Sequence, residues 1–125
     1  MIALDASALL AFLFREAGHE QVAPQLEECC ISTVNLAEVI GRFVRDGHDG
    51  RMVLRKLSST RMELVPFSSE HAALTGMLLP ATQPLGLSLG DRACLALAMS
   101  RGIPALTADR TWIQLDIGVV IQPIR

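Results

Sequence analysis

The sequence predicts an α/β fold of the doubly wound class, a parallel sheet covered by helices on both faces. Two observations predict it: short apolar runs of strand length alternate with longer helical stretches, and the length of 125 residues supplies one domain and no more. A chain of 13.5 kDa should expose about 6,500 Å² when folded, which buries enough core to dispense with disulfides or a structural metal.

The elements follow in order. Met1 to Leu4 reads as a strand ending at Asp5, and Ala6 to Phe14 as a helix broken near Gly18. Residues 19 to 28 read as a second, polar helix, and Cys29 to Ile31 as a brief buried strand. Ser32 or Thr33 caps the next helix, which runs to about Asp46 with Leu36, Ile40, Phe43 and Val44 as its buried stripe. Gly47 and Gly50 bracket a break before a basic helix from about 51 to 59, after which Glu63 to Phe67 is a third strand. A helix begins near Ser68 or Ser69, and Pro80, Pro84 and Gly86 mark a loop. Ser88 opens the most apolar helix, through Ser100, which Gly102 and Pro104 close. Pro104 to Thr107 and Val119 to Ile121 supply two last strands.

Composition narrows the function. Half the residues are hydrophobic, 19% are charged and the mean hydropathy is +0.38, which excludes disorder and predicts apolar surface for a partner. No apolar run approaches a membrane span, and Asp5 interrupts the N-terminal one before it resembles a signal peptide, so a cytoplasmic protein without membrane contact is expected. Cys29, Cys30 and Cys94 suggest small buried residues rather than a disulfide framework. His19, His48 and His71 are widely spaced and read as surface residues; without a CxxC or HxxxH pair, any metal would be bound by oxygen. Neither a P-loop nor a GxGxxG sequence is present, which disfavours nucleotide cofactors.

The net charge of -2 conceals an asymmetry. Arg42, Arg45, Arg51, Arg55, Lys56 and Arg61 place six of the eleven basic residues in one stretch, opposed there only by Asp46 and Asp49. This is either a solvated helical face or a phosphate-binding one.

The acidic residues are more informative. Asp5, Glu38, Asp91 and Asp109 sit in apolar or small-residue surroundings, unlike the acids of the polar helices. Asp5 ends the first strand and Asp109 follows the strand through Thr107, so a parallel sheet brings both to its carboxyl edge, where such folds place ligands. Glu38 and Asp91 fall in the first turns of helices that start at the same edge. Four carboxylates gathered there would oppose one another's ionisation unless a cation lies between them, and Mg²⁺ or Mn²⁺ takes such oxygen donors while keeping several waters. Ser7, Ser88 and Thr107 stand two or three residues from these acids and could support them as hydroxyl partners. Each acid also has a purely structural reading: Asp5 as a helix cap, Ser88 with Asp91 as a capping box, Asn35 with Glu38 as a weaker one, and Asp109 as a surface turn.

At these residues the chain resembles PIN-domain ribonucleases of the VapC toxin type. The resemblance runs through MIALDASALLAFL, STVNLAEV, LSLGDRACLALA and ALTADRTW, in that order and from end to end. It implies a three-layer α/β/α sandwich around a central, mostly parallel sheet, with Asp5, Glu38, Asp91 and Asp109 holding one or two Mg²⁺ or Mn²⁺ ions and Ser7 and Thr107 at the hydroxyl positions beside them. It further implies hydrolysis of RNA phosphodiester bonds, a cognate small antitoxin as partner, and a homodimer. Arg42, Arg45, Arg51, Arg55 and Lys56 become candidates for RNA contact, and the stretches around Phe12 to Phe14 and 36 to 44 candidates for protein contact. A housekeeping RNA-processing PIN nuclease would use the same chemistry, and a catalytically silent PIN domain would bind RNA or protein only. A Mg²⁺-binding signalling receiver is opposed by the unpaired Asp5 and by a single lysine, Lys56, in the wrong segment.

Overall fold

In the computed structural model, which describes residues 1–125, the chain folds around a five-stranded sheet of order β3-β2-β1-β4-β5 in which every pairing is parallel. The strands are β1 (Ile2–Leu4), β2 (Cys29–Ser32), β3 (Glu63–Val65), β4 (Ala105–Thr107) and β5 (Ile121–Pro123). Helices α1 (Ala6–Leu13), α2 (His19–Val22), α3 (Thr33–Arg45), α4 (Gly50–Ser58), α5 (Ser69–Met77), α6 (Leu79–Thr82) and α7 (Leu89–Arg101) connect them. The accessible surface is 6576 Å², close to what chain length alone predicts.

Strand alternation divides the core. Ile2, Leu4, Ile31 and Leu106 point to one face and pack with Leu9 of α1, Leu36 and Val39 of α3 and Leu57 of α4. Ala3, Cys30, Val65 and Ala105 point to the other and meet α7 and Trp112. Two cores with one sheet between them make the predicted three-layer sandwich. Residues 93 to 98 of α7 are all buried, and their alanines and cysteine let the helix lie close on the sheet. The three cysteines are free and buried, and burial pushes the Cys29 thiol up to about 11.

Several sequence-based expectations shift. Residues 19 to 28 form one α-helical turn followed by a 3-10 turn from Ala23 to Glu28, because Pro24 stands at its start. Pro80 and Pro84 likewise open short helical turns, positions where the missing N–H costs nothing, so the predicted loop is mostly helical. On α3 the buried residues are Asn35, Leu36 and Val39; Ile40 and Phe43 pack at the margin, and Val44 is 52% exposed. The last strand begins two residues later than expected and ends in Pro123, which an edge strand tolerates. His71 is buried rather than superficial, its Nε2 lying 3.1 Å from Ser100 Oγ between α5 and α7. The sheet order also excludes the receiver alternative, whose sheet runs 2-1-3-4-5.

Candidate active site

The chain runs from β1 outward to β2 and β3, then crosses back to place β4 on the other side of β1. The switch point therefore lies between the carboxyl ends of β1 and β4, where open α/β sheets form a crevice. Asp5 stands there at the start of α1, 3% exposed. It does not cap the helix with its side chain. Its Oδ2 accepts hydrogen bonds from Ser7 Oγ at 2.6 Å and Thr107 Oγ1 at 2.9 Å, and neither bond uses Oδ1. Those hydroxyls are themselves fixed, since Ala108 N–H donates to Ser7 Oγ (3.0 Å) and Asp109 N–H to Thr107 Oγ1 (3.1 Å).

Asp5, Glu38 and Asp91 line one cleft of about 400 Å³ with Ser7, Gly41, Arg42 and Arg45. Asp91 is the third residue of α7 and completes a capping box: its backbone N–H donates to Ser88 Oγ (3.2 Å) and its Oδ2 accepts from Ser88 N–H (2.9 Å). The capping role and the cleft-lining role coexist, because the box uses a single carboxylate oxygen. Ser88 thus orients Asp91 through the helix start. Glu38 lies in the second turn of α3 rather than the first: Ser32 caps the helix, as expected, by accepting from Val34 N–H, and Glu38 follows six residues later. Its Oε1 accepts from Asn35 Nδ2 at 2.9 Å.

Asp109 is not in this cleft. It borders a neighbouring open depression with Ser7, Ala108, Arg110 and Arg125, and its Oδ1 accepts from Thr111 N–H (2.9 Å) and Thr111 Oγ1 (2.6 Å) to cap a 3-10 turn. Ser7 is common to both depressions. The basic stretch is divided as well. Arg42 and Arg45 line the cleft, whereas the turn at Gly47 (φ 93°) and the Asp49 cap reverse the chain and carry Arg51 and Arg55 away on α4. Lys56 borders a separate apolar groove with Leu13, Phe43, Met52, Val53 and Leu57.

Burial is the main force pushing Asp5 up to about 7; the charges of Asp91 and Glu38 add to it, and the hydroxyls of Ser7 and Thr107 oppose it. Glu38 is raised by burial and by Asp91, against the Asn35 hydrogen bond. The donor set is carboxylate and hydroxyl oxygen, the chemistry of a hard divalent cation. No three acidic, histidine or cysteine side chains close around a single point. A Mg²⁺ ion, which keeps several waters and needs one or two direct carboxylates, fits such an open set.

Sequence reasoning missed Asn35 as an anchor of Glu38 and Gly90 as the residue against which Glu38 rests. The only signal was Asn35 three residues before Glu38, offered as a weak capping box, whereas the helix start is Ser32, one of the two caps expected.

This fold and this cleft define an α/β domain with an acidic crevice at its switch point, and the chain belongs to the PIN-domain family, which it matches over residues 2–118. A comparison with curated proteins finds no match. Among solved structures, the chain is similar to a chain of the DNA-bound VapBC complex of Salmonella typhimurium (20% identity, TM-score 0.72, all of both chains covered). It is also similar to a chain of a toxin–antitoxin complex from Klebsiella pneumoniae (21%, 0.72, 96% of each) and to one of FitAcB from Neisseria gonorrhoeae (18%, 0.72, 99% of this chain and 98% of that one). At these identities the likeness is one of fold.

Proposed function

We propose that this PIN domain is a metal-dependent endoribonuclease and the toxin of a VapBC-type toxin–antitoxin pair. The observation that carries the reading is the buried Asp5 at the switch point, facing Glu38 and Asp91 across a cleft that Arg42 and Arg45 also line. Asp5, Glu38 and Asp91 would hold Mg²⁺ or Mn²⁺, with Asp109 reaching the site from the far side of Ser7. A bound divalent ion supplies an acidified water and positive charge on the scissile phosphate.

The chain's own residues do the rest. Ser7 and Thr107 fix the Asp5 carboxylate through Oδ2, and Ser88 fixes that of Asp91 through its Oδ2, so that neither set of bonds uses the Oδ1 atom. Arg42 and Arg45 neutralise backbone phosphates of the RNA entering the cleft, whereas Arg51, Arg55 and Lys56, carried off on α4, are left with at most a lesser contact outside it. Arg42 is braced in place, with its guanidinium 4.7 Å from the centre of the Phe14 ring and its Nε 3.3 Å from Asp46 Oδ2. No serine or cysteine in the cleft has a histidine partner, so the scission uses water rather than a covalent intermediate.

The solved neighbours are chains of toxin–antitoxin complexes. By analogy the antitoxin covers the apolar groove of about 240 Å³ that Leu13 and Phe43, one from each expected contact segment, form with Met52, Val53 and Leu57 of α4. A homodimer would set two clefts along one RNA, and light scattering showing a strict monomer would remove that part of the reading. A catalytically silent PIN domain is the second reading, favoured by the failure of three acids to converge. Cleavage assays of the wild type beside Asp5→Asn and Asp91→Asn separate the two: loss of a Mg²⁺-dependent activity in both folded variants supports the nuclease, and a fully active Asp91→Asn sinks the metal assignment.

A further inference from the structure

Asn35 is fully buried on α3, and its Nδ2 spends both hydrogens. One goes to Glu38 Oε1 at 2.9 Å, the other to the Gly90 carbonyl of α7 at 2.9 Å. Neither bond is needed for helix formation. Gly90 lies in the first turn of α7, where its carbonyl already has the partner a helix provides, and the α3 start is capped by Ser32. Asn35 Oδ1, meanwhile, is buried without a hydrogen-bond partner, which carries a desolvation cost that leucine at this position would avoid. What asparagine adds over leucine is the pair of donors.

Gly90 completes the arrangement from the opposite side. Its backbone is not in the left-handed region, so conformation does not call for glycine. Space does: a Cβ built there would collide with the whole carboxyl group of Glu38, both oxygens and the carbon. The Glu38 carboxylate is therefore laid across the bare α7 backbone, one residue before Asp91, and tied down by Asn35. We propose that Asn35 and Gly90 are positioning residues that dock Glu38 beside Asp91 and so assemble the divalent-cation site from two helices. This deepens the metal-dependent reading above and rests on it.

The test is a titration of metal-free protein with Mn²⁺, followed by the paramagnetic resonance signal of the free ion. It is run on wild type, Asn35→Ala, Gly90→Ala, Glu38→Gln and the two double variants with Glu38→Gln, after circular dichroism confirms folding. The proposal predicts that Asn35→Ala and Gly90→Ala each weaken Mn²⁺ binding by about tenfold or more, the usual effect of losing a ligand's supporting partner. In the Glu38→Gln background each should cost less than about twofold, because the residue it acts through is already gone. Equal losses in both backgrounds would show a general effect on the fold and overturn the proposal, as would no loss in either. Gly90→Ala keeps the test decisive if Asn35→Ala does not fold. Wild type without Mn²⁺ affinity overturns the metal reading together with the proposal, whereas wild-type binding with losses independent of Glu38 overturns the proposal alone.

Discussion

Asp5, to which the proposed chemistry is assigned, carries a cost in the metal-free protein. A carboxyl whose folded pKa is pushed from 3.8 up to about 7 keeps its proton in the native state over a pH range where the unfolded chain has already released it. Stability of the metal-free protein therefore falls as pH rises through that window and levels off above it, by a few kcal/mol in all. Asp5→Asn keeps an acceptor for Ser7 and Thr107 but has no charge to bury. Its melting temperature should decline less than the wild type's between pH 5 and pH 8, and Mg²⁺ at pH 8 should raise the wild type's and leave the variant's unchanged. A parallel decline in both proteins would contradict the account of Asp5. Of the site residues, Asp5 and Asp91 were legible because an acid in an apolar run needs a reason. Asn35 and Gly90 were not, because their role depends on α3 meeting α7, a contact that sequence spacing does not encode. Asp109 sits apart with its carboxylate engaged by Thr111, so Asp109→Asn should reduce RNA cleavage less than Asp5→Asn or Asp91→Asn in side-by-side rate measurements.

Among elements, those bounded by strong caps were read most accurately. Ser88 and Gly102 frame α7 as predicted, and Ser68 opens α5 by accepting from His71 N–H. Elements governed by proline were misread, since Pro24, Pro80 and Pro84 start short turns where sequence suggested a longer helix or a loop. The α3 stripe failed at Val44, which is exposed in the final turn of that helix, while burial is confined to Asn35, Leu36 and Val39 in its first half. The break between α3 and α4 has the larger functional consequence, because it separates Arg42 and Arg45 from Arg51 and Arg55. Replacing the first pair with alanine in an Asp5→Asn background should weaken single-stranded RNA binding and reduce the salt slope by about 1.4, the release of two counterions. Replacing Arg51 and Arg55 should have a smaller effect in the same fluorescence anisotropy titration, and the reverse order would relocate the RNA path to α4.

For the whole molecule, the parallel sheet and its two helical layers followed from alternation and composition, and the family match spans nearly the full chain. The sequence could not show how the crossover from β3 to β4 makes β1 central, which turns Asp5 from a strand end into the floor of a cleft. Trp112, fully buried beside α7, anchors the layer behind that crossover. Trp112→Ala should cost about 3–5 kcal/mol in urea unfolding. Because the site is assembled at the junction of both layers, the same variant should lose divalent-cation binding where it remains partly folded.

The most direct measurement is cleavage of purified total RNA by the wild type and by Asp5→Asn, each with Mg²⁺, with Mn²⁺ and with EDTA, after circular dichroism confirms that both are folded. Discrete fragments from the wild type alone, abolished by EDTA, are the predicted result. Equal cleavage by both proteins, or fragments that persist in EDTA, would contradict a metal-dependent nuclease built on Asp5.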